Sequence, residues 1–454
     1  MLDAAPPVLV STRTVVFRAA CGGRSVWDDG WVYGGRVDIG GRGLIAEDSR
    51  DCAGRLWPVE GSAAPGKEEL RAAVLTSLRD QGFTLGRRGL ESAGVLDKAA
   101  MRALHATAVE HRIGKAKGGL VRHEARLIGQ LADRTTLDPL RIDPCLVEVR
   151  TQTKEELLFR WARLHWSIPI SSGYGRRLRF LVIDRHNGKL IGLIGLGDPV
   201  FALGPRDEWV GWDRERRRTA LRSVMDAFVV GAVPPYSYLL GGKLVASLMA
   251  SVELRDTFAE RYAGRETVIS GAQQDGQLAL ITTTSALGRS SLYNRLSYRP
   301  SPEVSFRRVF ESVGFTKGSG EFQFSGDLYE QLTRYAVVHC RPTAKSSAWG
   351  TGFRNRRELV KKALKHLGLS GAWLYHGVHR EVYCVPLASN AREYLRGEDA
   401  TLDGYRESVD DLSAYWRERW LAPRLERERR HEDWDPHAWR LWPRPTKQPT
   451  QLQR

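Results

Sequence analysis

Leu178 to Leu196 reads LRFLVIDRHNGKLIGLIGL. Two apolar runs flank His186-Asn187-Gly188, and Asn-Gly supplies the positive-φ residues of a tight turn, so the stretch predicts a β-hairpin. Downstream, Arg214 to Val230 predicts a helix. Leu221, Val224, Met225 and Phe228 share one stripe, and Arg214, Arg216, Arg217 and Arg218 crowd the first turns. Pro234-Pro235 punctuates, and Tyr236 to Leu240 looks strand-like. Gly241-Gly242 then opens a second helix with Leu244, Val245, Leu248, Met249 and Val252 inward. Val268 to Gly271 and Leu278 to Thr284 read as buried strands. Strands alternating with helices after an opening hairpin predict an α+β fold, a central mixed sheet with flanking helices.

Around that centre the chain divides by composition. Residues 1–66 are a Gly-, Arg- and Trp-rich extension that ends in a Gly/Pro linker. Residues 67–150 carry helical periodicity, first at Leu70, Val74, Leu75 and Leu78, then over Asp97 to Arg112 and His123 to Ala132. The central α/β domain spans 151–335. A basic C-terminal α/β region, 336–454, holds 22 Lys and Arg against 15 Asp and Glu; a helix is expected over Arg356 to Leu367 and a strand over Glu381 to Val385.

Across all 454 residues Lys and Arg number 69 against 53 Asp and Glu, a net charge of +16. With 42% hydrophobic residues, disorder of the whole chain is excluded. The excess points to a polyanionic partner, DNA or RNA, since phosphate neutralisation supplies most sequence-independent nucleic-acid affinity. No apolar window approaches a membrane span, and the N-terminus lacks the pattern of a signal peptide, so the expected location is the cytoplasm with no membrane partner. Five cysteines without a Cys-x-x-Cys pair give no zinc module.

Three segments concentrate polar chemistry: SSGYGRRLR (171–179), DPVFALGPRDEWVGWDRERRR (198–218) and TTTSALGRSSLYNR (282–295). Each joins small or hydroxyl residues to Arg and an aromatic, the mixture that grips a planar, phosphate-bearing ligand. Arg176, Arg177, Arg206, Arg214, Arg217, Arg289, Ser290, Ser291 and Asn294 are candidate phosphate or nucleic-acid contacts. Trp212 and Tyr174 are candidate stacking surfaces, and Asp198, Asp207 and Tyr293 candidate proton-transfer groups. Asp213, just before a helix, suits an N-cap. The backbone at Gly241, Gly242 and Lys243 could receive a pyrophosphate without a Walker sequence, which is absent. The glycines of IGLIGLGDP fit a twisted, closely packed strand better than a dinucleotide loop, because no helix follows. His376 and His379 have ligand-like spacing, but the intervening glycine and following strand argue against a metal, and no Gly-x-Ser-x-Gly element supports a serine nucleophile. Arg354, Arg356 and Arg357 open a basic helix suited to a phosphate backbone.

The strings WSIPISSGYGRRLRFLVIDRHNGKLIGLIGLGDPVFALGPRDEWVGWD, MDAFVVGAVPPYSYLLGGKLVASLMAS, TTTSALGRSSLYNR, VGFTKGSGEFQF, RNRRELVKKALKHLGL and HGVHREVYCVPLASNAREYLRGE resemble the DruA family of the bacterial Druantia antiphage-defence system, over roughly residues 67–415. The resemblance implies a defence role beside other proteins of the system, such as a helicase, and carries no catalytic assignment. The order hairpin, Gly-Gly loop, strand and SSLYNRLSYR is also similar to the last half of the GCN5-related acyltransferase fold, where a Leu-Tyr helix precedes a closing strand, and to the phage Mu enzyme Mom, which acts on adenine. That likeness implies acyl-coenzyme A as a cofactor, although only Leu240-Gly241-Gly242-Lys243 stands where the usual glycine motif would be. Two functions follow as expectations: an antiphage protein that binds nucleic acid and modifies a base or nucleotide, or a non-enzymatic DNA- or RNA-binding adaptor that recruits an effector.

Overall fold

In the computed structural model the described residues are 63–92, 97–170, 175–266, 271, 273–342, 349 and 353–442; Tyr174, Val268 to Ser270, most of the N-terminal extension and the side chain of Arg354 lie outside them. The hairpin forms as its sequence dictates. Gly188 takes φ 70° and its amide donates to the Asp184 carbonyl at 2.8 Å, while the Asn187 side chain donates to Thr136 O and to the Tyr236 hydroxyl.

It lies within a seven-stranded mixed sheet: β1 (Pro144–Glu148), β2 (Arg177–Asp184), β3 (Leu190–Gly197), β4 (Val224–Ala232), β5 (Leu280–Thr284), β6 (Glu311–Phe315) and β7 (Glu381–Pro386). The order is β6-β7-β5-β4-β3-β2-β1, and only the β4–β5 pairing is parallel. The first strand therefore comes from the segment before residue 150 and the last from beyond 335. All eight residues of β3 are buried, so both faces are covered, as a near-continuous apolar run requires. A Cβ on Gly195 would meet the Phe228 ring at 2.6 Å, which is why the strand carries glycine there.

One face, with Phe180, Ile194, Met225, Ile281 and Val385, packs on the helices Gly241–Ser247, Val252–Tyr262 and Val409–Trp416. Leu244, Val245, Leu248 and Met249 are fully buried there, each worth roughly 1.5–3 kcal/mol. The opposite face, with Val224, Leu280 and Cys384, is covered by Val210, Trp212, Ala220 and Leu395. A separate cluster joins Leu70, Val74 and Leu78 to Leu332 and Tyr335 and to Leu359, Val360, Ala363 and Leu364, from the helices Lys67–Asp80, Gly326–His339 and Phe353–His366.

Three expectations give way. The helix beginning at Arg214 stops at Ala220, and after one 3-10 turn the chain becomes β4. Its apolar stripe fits both periods over so short a run; Val224, Val229 and Val230 favour the strand, and β3 and β5 offer ladders on both edges. Tyr236 to Leu240 forms consecutive turns that end with Leu240 at φ 60°, because Pro234 and Pro235 cannot donate to a ladder. The Leu-Tyr helix is a single 3-10 turn, Tyr293–Arg295, and the strand after it, Ser297–Tyr298, pairs with Arg307–Arg308 outside the main sheet. Asp213 caps its helix as expected, accepting from the Arg216 amide at 2.7 Å.

Candidate functional site

The parallel junction is short. β4 and β5 pair only at Val224–Leu280, Met225–Ile281 and Asp226–Thr282, yet β4 runs on to Ala232. Beyond the last pair the Thr283 hydroxyl donates to Ala227 O at 2.9 Å, a side chain standing in for the ladder. On its other edge β4 skips Phe228 in its register with β3, and such a bulge bends the strand locally and increases its twist. The carboxyl ends of parallel strands beside a topological switch are where open sheets bind ligands. Here the segments leaving those ends touch: a Cβ on Gly242 would lie 3.0 Å from Leu292 Cδ1.

Several candidates converge at this place. Asn294 donates to Glu381 Oε2 at 3.1 Å and to the Tyr383 hydroxyl at 3.0 Å, and the Ser290 amide donates to the same hydroxyl at 3.1 Å. Tyr383 in turn donates to Glu381, whose other oxygen accepts from Ser312 Oγ at 2.6 Å. Arg289, largely exposed, approaches Glu381 with Nε at 3.6 Å. Burial pushes the Glu381 carboxyl up, but the donors Ser312, Tyr383 and Asn294 and the charge of Arg289 outweigh it and hold the group below the usual range. Burial first, then Glu381, raises the Tyr383 phenol. Tyr293 stacks on Phe310 with ring centroids 4.4 Å apart, and desolvation pushes its phenol up to about 12. Ser291 is exposed beside it.

The backbone at the Gly-Gly turn is largely spent: Gly241 donates to Tyr236 O at 2.9 Å and Lys243 to Leu240 O at 2.9 Å. A Cβ on Gly241 would sit 2.6 Å from Tyr236 O, so this glycine permits a close backbone approach.

The other candidates form structural knots. Asp198 accepts from Arg176 Nε at 2.6 Å and from its amide at 3.0 Å, while the Arg176 guanidinium also donates to Leu221 O, Arg222 O and Val224 O. Arg177 lies over the Phe228 ring. Asp207 accepts from Arg206, Trp212 Nε1, Arg217 Nη1 and the Leu203 amide, and Arg206 is fully buried. Arg214 and Arg218 stay exposed on the covering helix. Arg356 stacks over Tyr329 and Arg357 reaches Ser319, on the separate helical cluster. His376 Nδ1 accepts from the Val378 amide, His379 faces Thr316 O, and no cluster suited to a metal occurs among the described residues.

The structure adds residues the sequence reading passed over. Glu381, Tyr383 and Ser312 come from strands far along the chain. Asp226 is a lone carboxyl in the apolar run VMDAFVVGA, and that isolation was its signal. Desolvation, against the Thr282 hydroxyl at 2.8 Å and the charge of Arg206, pushes it up to about 6, where a carboxyl exchanges protons near neutral pH.

A family profile described as Druantia protein DruA matches residues 95–397. The chain belongs to the DruA family. It is 39% identical over 371 residues to the Druantia protein DruA of Escherichia coli (strain UMEA 4076-1), covering 81% of this chain and 89% of that one. The antiphage-defence family that its central strings resemble is thus its own. No solved structure matches it. No helix among the described residues is long and apolar enough to cross a membrane.

Proposed function

We propose that this DruA-family protein binds DNA or RNA and modifies a base or nucleotide held where β4 and β5 part, through an acyltransferase-like core. The observation that carries this reading is the three-pair parallel junction, with Arg289, Ser290 and Asn294 gathered at its open end around a buried carboxylate. The net charge of +16 and the exposed Arg214 and Arg218 support the nucleic-acid part. Asp226, whose carboxyl titrates at about 6, is suited to moving a proton, while the Tyr293 phenol, raised to about 12 by desolvation, stays protonated and serves only as a donor.

Acyl-coenzyme A would supply an activated acyl group. With the Gly241 and Lys243 amides engaged inside their turn, a diphosphate here would meet side-chain charge more than a backbone cradle, so the residues fit such a group through the Lys243 ammonium.

A second reading, the non-enzymatic adaptor that recruits a helicase or another effector, is favoured by Asp198 and Asp207. Both carboxylates are consumed by arginines. Mass spectrometry of digested DNA and RNA from cells making the protein separates the two. A new nucleoside supports modification; its absence together with salt-sensitive nucleic-acid binding leaves the adaptor. No binding at low salt removes both.

A further inference from the structure

Three cations lie on neighbouring segments beside the junction, none with a carboxylate partner among the described residues. Lys243 Nζ sits 4.5 Å from the centroid of the Trp420 ring, and Trp420 directly follows the exposed Arg419. Gly242, before Lys243, abuts Leu292, from which the turn Tyr293–Arg295 carries the exposed Arg295. Desolvation, then the charges of Arg295 and Arg419, depress the Lys243 ammonium, so the lysine feels both arginines.

Other arginine-rich places in this protein bring their own acids. Arg206 and Arg217 share Asp207, Arg424 and Arg430 share Glu428, and Arg396 holds Glu393 and Glu398. At Lys243 the compensation found among the described residues is the face of an indole, worth roughly a kcal/mol. Clustered like charges cost folding energy, and an arrangement of this kind is complete only when an anion joins it.

We propose that Lys243, Arg295 and Arg419 form a phosphate-binding site at the mouth of the junction, taking a phosphate carried by a nucleic-acid strand or by a nucleotide, with Trp420 fixing the lysine. This deepens the proposed function at the same place and rests on it only for the nucleic-acid source. Arg295 and Arg419 are new to the site, and they lie far apart in sequence on segments that no local motif connects.

The test uses the full chain and its K243Q, R295Q and R419Q variants, with a labelled single-stranded oligonucleotide, a duplex oligonucleotide, inorganic pyrophosphate and coenzyme A as probes. Each neutral variant is expected to weaken oligonucleotide binding by roughly fivefold to tenfold at low salt and to reduce the log–log salt slope by about one. R295K and R419K keep the charge and restore binding. Melting temperatures of the three neutral variants stay level or rise, because a repulsion is relieved, whereas a packing role would lower them. Competition by pyrophosphate or coenzyme A against the oligonucleotide identifies a nucleotide as the source. If the wild-type chain binds oligonucleotide and all three variants keep its affinity and slope, the site is overturned while the proposed function stands. If the wild type binds no nucleic acid, that function falls. The phosphate site then survives only where pyrophosphate or coenzyme A binds the wild type and is lost from the variants; otherwise it falls too.

Discussion

Arg206 and Arg217 close on the carboxylate of Asp207, whereas Lys243 feels the charges of Arg295 and Arg419 and has no carboxylate partner among the described residues. In sequence the first group looked the more reactive, since PRDEWVGWDRERRR is denser in charge than anything around Lys243. In three dimensions its density is spent. Asp207 ties the Gly204–Val210 helix to the Arg214–Ala220 helix, and Trp212 donates its indole N–H to the same oxygen as Arg206. Charge that is already neutralised stabilises a fold; charge left facing its own kind is available to a ligand.

The largest expected effect breaks the closed side of that contrast. D207A leaves a fully buried guanidinium without its carboxylate and is expected to lose about 3–5 kcal/mol of stability by urea unfolding. A loss under about 1 kcal/mol would mean the knot is not holding the sheet's cover in place.

Asp226, on the face that Arg206 approaches, gives an effect of opposite sign. Its folded carboxyl titrates at about 6, above its ordinary 3.8, so protonation favours the folded state. That contribution is complete below 3.8 and fades as pH rises through 6. D226N is therefore expected to gain about 1–3 kcal/mol at pH 7 and to lose the pH dependence between 4 and 6, followed by denaturation across that range.

Glu381, beneath the open side, titrates the other way. Because its carboxyl is held below 4.5, it stabilises the fold above that value and the contribution disappears as pH falls further. E381Q is expected to cost about 1–2 kcal/mol at pH 7 and to flatten acid unfolding below pH 4.5. An unchanged acid limb would contradict the network around Asn294 and Tyr383.

The smallest effect sharpens the comparison. R214Q and R218Q, exposed and outside the knot, are expected to change stability by less than about 0.5 kcal/mol while lowering the salt slope for oligonucleotides by about one each. An unaltered slope would move the nucleic-acid surface away from that helix.

Much of the fold was legible. The Asn187-Gly188 hairpin, the Lys67–Asp80 and Phe353–His366 helices and the β7 strand follow from period and turn chemistry that act over a few residues. β4 was not, since a short apolar run serves a helix or a strand equally and the choice fell to its ladder partners. The candidate site was half legible. Arg289, Ser290, Tyr293 and Asn294 stood together in one segment, but Glu381 lies nearly ninety residues on, and its role exists only because β7 inserts between β5 and β6.

By itself the sequence determined the family, the α+β class, the hairpin at the centre and the basic character, all of which are local patterns or sums over residues. The tertiary structure alone decided which charges are paired. A salt bridge such as Arg289 to Glu381, or a desolvated carboxyl such as Asp226, depends on distances of a few ångströms between chain-distant groups, and sheet order, not local pattern, sets those distances.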